Sequence, residues 1–315
     1  MKAVVLDADD RYTLTTVDAP TPGAGEVAVR VEYAGIQWGD VLVRDGHFPV
    51  PRPFVPGFEA AGRVIAVGDG VDPARIGQHV AVLTGSGAFA EVVVAPAVLA
   101  FPTLGVDPRT AAAFGWAAPT AYDLIRTVTR VRPGESVLVH AALGGVGSLA
   151  AQFATAAGAG RIVGVVGDTR QGEYAAGLGY DRLVSRHDFP AALGDERFDV
   201  ILDPVGGPAR LACLDHLAPH GRLAVYGNMA TFDPVRIDAN DLLAQGKSVL
   251  AYNSDLLSRT FPERLAETAG EAMRLVRDGR VRIDITATYE PADLDTAVER
   301  LAAGGTRGKS VVRIG

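Results

Sequence analysis

The run SVLVHAALGGVG, residues 136–147, decides how the rest of the chain is read. Val137, Leu138 and Val139 form a short apolar run with the character of a buried strand. A glycine-rich turn follows, and a helix-forming run extends over 146–157. The turn spells Ala142-x-Gly144-x-x-Gly147, a G-x-G-x-x-G pattern whose first glycine is alanine. Small residues at such a turn let backbone approach a pyrophosphate, and the N–H groups at the helix start face it. Alone, the pattern reads equally as a plain turn, so its surroundings carry the decision.

Downstream, strands and helices alternate. Residues 161–166, 182–184, 198–202, 222–226 and 248–252 read as strands, and 171–178 and 208–217 as helices. This alternation predicts a parallel, doubly wound sheet. Upstream, residues 1–100 are short strands (3–6, 27–33, 63–67, 80–83, 89–94) punctuated by Gly and Pro, with one short helix at 38–44. These predict a barrel-like β unit. Between the two, 109–114 and 120–128 look helical. Beyond residue 260 the alternation stops. An amphipathic helix over 261–278 ends at Gly279, and an extended run covers 282–289. A helix over 291–303 is opened by Pro291 and closed by Gly304-Gly305, and the last strand is 310–314. The expected class is α/β, with a β domain at 1–118, an alternating α/β domain at 119–255 and a return to the first domain at 256–315.

Composition limits the function classes. The 315 residues are 48% hydrophobic and 21% charged, enough for a sizeable core. No apolar run reaches membrane-spanning length and the N-terminus has no signal-peptide pattern, so a cytoplasmic protein is expected. A net charge of −7 argues against nucleic acid and anionic membrane as partners. Cys213 is the sole cysteine, which excludes an intrachain disulfide and a multi-cysteine metal site. It reads as a packed thiol.

Six pieces taken in order resemble one family: 56–62 (PGFEAAG), 120–122 (TAY), the 142–147 turn, 198–207 (FDVILDPVGG), 221–227 (GRLAVYG) and 308–312 (GKSVV). The set is similar to the zinc-free medium-chain dehydrogenase/reductases of the quinone oxidoreductase, zeta-crystallin-like branch. The resemblance covers nearly the whole chain. It implies a GroES-like domain and a Rossmann domain, with NAD(P)H delivering hydride to a quinone, enone or enoyl thioester. Where zinc-dependent relatives carry Cys and His, this chain has Gln37 and Phe58, so the expectation is no metal.

The same resemblance implies the site residues. Gln37 and Asp40 fall where similar reductases carry an Asn and an Asp, while their tyrosines appear here as Leu42 and Phe48. Gln37 can donate through its amide to a developing oxyanion. His47 and Tyr252 are further donor candidates, leaving Gln37, Asp40 and Tyr252 as the catalytic set. For the cofactor, Thr120 resembles a family threonine near the nicotinamide, and Gly144, Gly145 and Val146 form the phosphate turn. At the end of the second strand Val166 replaces the acid of NAD-binding folds, and Gly167, Arg170 and Arg186 follow. Two arginines suit the 2′-phosphate of NADPH, whereas Asp168 and Gln171 oppose it. Val205, Gly206, Tyr226, Gly227 and Asn253 end later strands at their carboxyl edge. The apolar 248–252 edge implies a homodimer joined through the Rossmann sheets. The alternatives are a biosynthetic, polyketide-type enoyl reductase, suggested by residues 37–49, and an NADPH-binding structural or regulatory protein, suggested by the missing tyrosines.

Overall fold

The computed structural model describes residues 1–304 and 306–315. In chain order β1 (Lys2–Leu6), β2 (Tyr12–Thr16), β3 (Glu26–Ile36), α1 (Trp38–Arg44), β4 (Glu59–Val67), β5 (His79–Leu83), β6 (Val92–Pro96), β7 (Ala100–Pro102) and α2 (Pro108–Phe114) come first. After α3 (Ala117–Asp123) follow β8 (Ser136–His140), α4 (Gly145–Ala156), β9 (Arg161–Val166), α5 (Gly172–Ala176), β10 (Arg182–Ser185), β11 (Phe198–Asp203), α6 (Gly207–Asp215), β12 (Leu217–Val225), α7 (Ala239–Gln245) and β13 (Ser248–Ala251). The chain ends with α8 (Ser254–Thr260), α9 (Pro262–Arg277), β14 (Ile285–Tyr289), α10 (Leu294–Ala302) and β15 (Lys309–Arg313). Two units result: residues 1–119 with 255–315, and residues 120–254.

The second unit is a six-stranded, all-parallel sheet in the order β10-β9-β8-β11-β12-β13. Strands buried on both faces need no polar alternation, which is why Val137, Leu138 and Val139 are all fully buried. Leu138, Val163, Ile201 and Leu223 join Phe198, Leu217 and Cys213 in one core. The winding reverses between β8 and β11, and ligands of open parallel sheets bind at that switch point, beyond the strand ends.

The first unit holds a seven-stranded sheet. Its main path is β14-β15-β3-β4-β5-β7, and β6 pairs with β3. Eleven-residue β3 is its spine: one half pairs with β6, the other with β15, and β4 runs antiparallel to it. Residues 309–313 therefore complete a sheet begun by 26–36. Val27, Val29 and Val31 pack with Val64, Val80 and Val82, and α10 covers this core with Leu294, Ala297 and Val298.

Several elements differ from expectation. The helix expected over 120–128 is α3 followed by a wide turn at Leu124–Val128. There Thr129 donates both its N–H and its hydroxyl to the Leu124 carbonyl. The helix expected over 171–178 shortens to α5 behind a 3₁₀ turn at Thr169–Gln171. The helix expected from Pro291 begins as a 3₁₀ turn, Pro291–Asp293, before α10. Gly279, at φ 69°, stands where α9 ends, and Gly304 follows α10 at φ 71°; Gly305 lies outside the described residues. Among the described residues no helix is long and apolar enough to cross a membrane.

Candidate functional site

The glycine turn is built from both sides. Ala141 leaves β8 at φ 51°, a left-handed conformation that costs a non-glycine residue energy and is concentrated at functional sites. Ala142 occupies the place of the pattern's first glycine because β9 makes room for it. A Cβ on Gly164 would lie 2.7 Å from the Ala142 methyl, so the small residue has moved one strand over. Gly147 cannot move: a Cβ there would lie 2.5 Å from the Ala141 carbonyl and 2.7 Å from that of Ala142. The buried Tyr180 hydroxyl sits 2.9 Å from the Ala142 carbonyl and 2.8 Å from that of Gly147, sharing its one proton between them. The first N–H groups of α4, at Gly145, Val146 and Gly147, have no intrahelical acceptor, and the first turn carries no acid. Such an end attracts a phosphate.

At the end of β9 the two arginines separate in role. Arg186 donates its backbone N–H to the Val166 carbonyl at 2.7 Å. Its guanidinium carbon lies 3.8 Å from where a Cβ on Gly167 would stand, so the cation covers that glycine. Arg170 points elsewhere: Nε donates to Asp168 Oδ1 at 2.9 Å and Nη2 to Oδ2 at 2.9 Å. These bonds hold the Asp168 carboxyl below its ordinary range and push the Arg170 guanidinium up. Arg186 thus lies over Gly167, and Arg170 is paired with Asp168.

The loops after β11 and β12 share a buried polar cluster. Asp203 Oδ1 accepts the N–H groups of Val205 (2.7 Å) and Gly206 (3.1 Å). Its Oδ2 accepts Arg210 Nε at 2.6 Å, and Arg210 also reaches the Gly227 carbonyl and the Asn228 side chain. Burial and the Asp203 charge push the Tyr226 phenol up. Beneath them Cys213 Sγ lies 3.3 Å from His140 Nε2. Burial lowers His140 to about 4 and raises the Cys213 thiol, so both stay neutral and the contact is structural. Thr120 and Asp123 stand one turn apart on α3, both buried. Tyr252 follows β13 and donates its hydroxyl to Asp123 Oδ2 at 2.8 Å, while Asn253 is exposed. That phenol proton is engaged within the unit, which differs from a free proton donor.

In the first unit Gln37 caps α1. Its N–H donates to Asp40 Oδ2 at 2.8 Å, and its carbonyl accepts the Asp40 N–H. Asp40 is fully buried. Burial raises its carboxyl to about 8, against the backbone N–H groups of Gln37 and Gly57; the nearby Glu59 raises it further and Lys309 lowers it. Glu59 forms a buried ion pair with Lys309 Nζ, which also donates to the Ile36 carbonyl at 2.9 Å. Glu59 Oε2 accepts the Trp116 N–H at 2.6 Å. Glycine at 35 and 115 leaves room for this carboxylate, since a Cβ at either would collide with it. His47 and Phe48 are exposed and Leu42 is half-buried.

Sequence reasoning passed over Tyr180, Asp203, Arg210, Asp123 and Lys309. Asp203 and Lys309 lay within quoted motifs, but only the fold shows what they hold. For metal, Gln37 and Phe58 supply no ligand of the kind zinc takes, and among the described residues no group of three His, Cys, Asp or Glu is placed to hold an ion. The donor set does not fit zinc. Two open grooves lie elsewhere, about 470 Å³ beside Leu104 and Val281 and about 240 Å³ beside Leu214 and Asp238; neither includes these residues.

Comparison with known proteins agrees with this geometry. Residues 23–104 match the alcohol dehydrogenase GroES-like domain family, and residues 145–271 match the zinc-binding dehydrogenase family. The quinone oxidoreductase of Pseudomonas aeruginosa is 34% identical over 301 residues, covering 92% of each chain. The phthioceranic/hydroxyphthioceranic acid synthase of Mycobacterium tuberculosis is 31% identical over 303 residues, 93% of this chain; the match spans 14% of the synthase's length. The solved structure of mycobacterial Rv1454c complexed with NADPH is 29% identical and superposes with a TM-score of 0.90 over 99% of both chains. With a GroES-like unit, a Rossmann unit and Gln37 and Phe58 in place of zinc ligands, the chain belongs to the quinone oxidoreductase branch of the medium-chain dehydrogenase/reductase family.

Proposed function

We propose that this chain is an NADPH-dependent reductase of small electrophilic molecules, quinones or enones with an activated C=C bond. The observation that carries it is the pairing of the α4 phosphate turn with Arg186 over Gly167, where an NAD-binding fold would place an acid. Gly144, Gly145 and Val146 hold the pyrophosphate, and Gly147 keeps helix and turn in contact. Arg186 takes the 2′-phosphate, and Arg170 removes the repulsion of Asp168. Val205, Gly206, Tyr226, Gly227, Thr120 and Asn253 flank the nicotinamide half. When bound, NADPH supplies the hydride. The Gln37 side-chain amide donates to the oxygen on which negative charge develops, the task a metal performs in zinc relatives. Asp40 fixes the backbone at Gln37. Tyr252, its proton engaged by Asp123, orients rather than protonates.

The test is NADPH oxidation with a panel of simple quinones and enones, compared with NADH. Turnover with NADPH and weaker use of NADH is expected. No turnover on the whole panel, together with no NADPH binding by calorimetry, would overturn the reading. The synthase similarity supports a second reading, an enoyl thioester reductase. Faster turnover of an enoyl thioester than of any quinone would select it. We also propose a homodimer. β13 is the sheet's edge strand, its Ser248 and Ala251 exposed and Val249 and Leu250 half-buried, a template for a second copy. Light scattering should give twice the 32.8 kDa chain mass.

A further inference from the structure

The loops after β11 and β12 are separate in sequence and held by one guanidinium. Asp203 is fully buried at the end of β11, and its Oδ1 folds the chain back through the Val205 and Gly206 N–H groups. Its Oδ2 faces Arg210 Nε, and the same guanidinium reaches across to Gly227 O (2.6 Å) and Asn228 Oδ1 (3.1 Å). Arg210 is itself buried. Its Nη2 would lie 3.4 Å from a Cβ on Gly206, close against that loop. The loops also touch directly, Met229 N–H to the Pro204 carbonyl and Ala230 N–H to that of Val205, both at 2.9 Å. Arg210, itself buried, therefore ties the two loops together through one side chain.

The place of that surface in the sheet gives it a purpose. A dinucleotide on a doubly wound sheet spans the switch point. Arg186 marks the β9 side as the adenosine half, so the β11 and β12 ends belong to the nicotinamide half. We propose that Arg210 is a positioning residue for the nicotinamide half of NADPH, acting through Val205–Gly206 and Gly227–Asn228 without touching the cofactor. This rests on the reductase reading above. A lysine would neutralise Asp203 equally but lacks the planar fork that meets three acceptors at once.

The test separates the two halves of the cofactor. Arg210→Lys and Arg210→Met are compared with wild type for binding of NADPH and of adenosine 2′,5′-bisphosphate, which carries only the adenosine half. Because Arg210→Met leaves a buried carboxylate unpaired, Asp203→Asn with Arg210→Met is the neutral companion. Its amide oxygen still accepts from Val205 and Gly206, and it carries the test if the single variant does not fold. NADPH binding should weaken about tenfold or more, the scale of one charge-assisted hydrogen bond, with adenosine bisphosphate binding held within about twofold. Amide exchange should quicken over 204–206 and 227–230 and stay unchanged over 144–148. Parallel loss of both ligands, or unchanged NADPH binding in every variant, would overturn the proposal. If wild-type protein binds neither ligand, the reductase reading falls instead, and the exchange data still report whether Arg210 holds the loops.

Discussion

Asp40→Asn tests how the first unit holds Gln37. The Asp40 carboxyl is fully buried and raised from an ordinary value near 3.8 to about 8, chiefly by desolvation. Between those values the native state keeps a proton that the unfolded chain has released. Stability therefore falls as pH rises, by about 1.4 kcal/mol per pH unit for one proton, and levels off above the folded value. Over the full window this amounts to about 6 kcal/mol as an upper bound, because water penetration softens burial. Asparagine is isosteric with the protonated acid. Its oxygen still accepts the Gln37 N–H. The variant should thus lose this pH dependence and keep the cap. Urea unfolding of both proteins from about pH 5 to pH 8 measures it, since other titrating groups cancel in the difference. The gap in favour of Asn should widen steadily towards pH 8. A constant gap across that range would show that Asp40 is ionised in the native protein and would refute the reasoning.

Other consequences are as direct. Lys309→Met strands Glu59 as an unpaired buried charge and should cost about 3–5 kcal/mol by denaturant unfolding, most of it recovered by adding Glu59→Gln. Arg186→Glu should weaken NADPH binding by about 10- to 100-fold while leaving NADH nearly unaffected, and Arg170→Ala should change NADPH affinity by no more than about threefold, both read by calorimetry. Gly147→Ala places a methyl against two backbone carbonyls and should cost about 1–3 kcal/mol, with a matching loss of NADPH affinity; a variant of wild-type stability and affinity would mean that the turn has slack.

The parts legible in the sequence were those with a local cause. Strand β8, the turn and α4 are contiguous, so their pattern can be read along the chain. The parallel sheet was legible because buried strands and intervening helices alternate in composition. Helix α7 was not, because it buries none of its residues and leaves Leu243 82% exposed, so no apolar period marks it. The short β2 turns most of its residues outward and was silent for the same reason. At the site, what sequence missed was relational. Arg170 and Arg186 are alike as letters; a carboxylate two residues away engages one, and the register of β10 beside β9 sets the other over Gly167. Ala142 looked like a defect in the motif until Gly164, on the neighbouring strand, supplied the missing space. Arg210 is one cation on a helix in a chain with 30 basic residues, and nothing within that helix distinguishes it. Its meaning comes from acceptors at 203, 227 and 228, brought together only when β11 and β12 pair. Motif glycines mark where backbone must come close, and they are read along the chain. The polar groups that hold those backbones in place lie on other elements, so the half of the site that fixes geometry is written across the sheet.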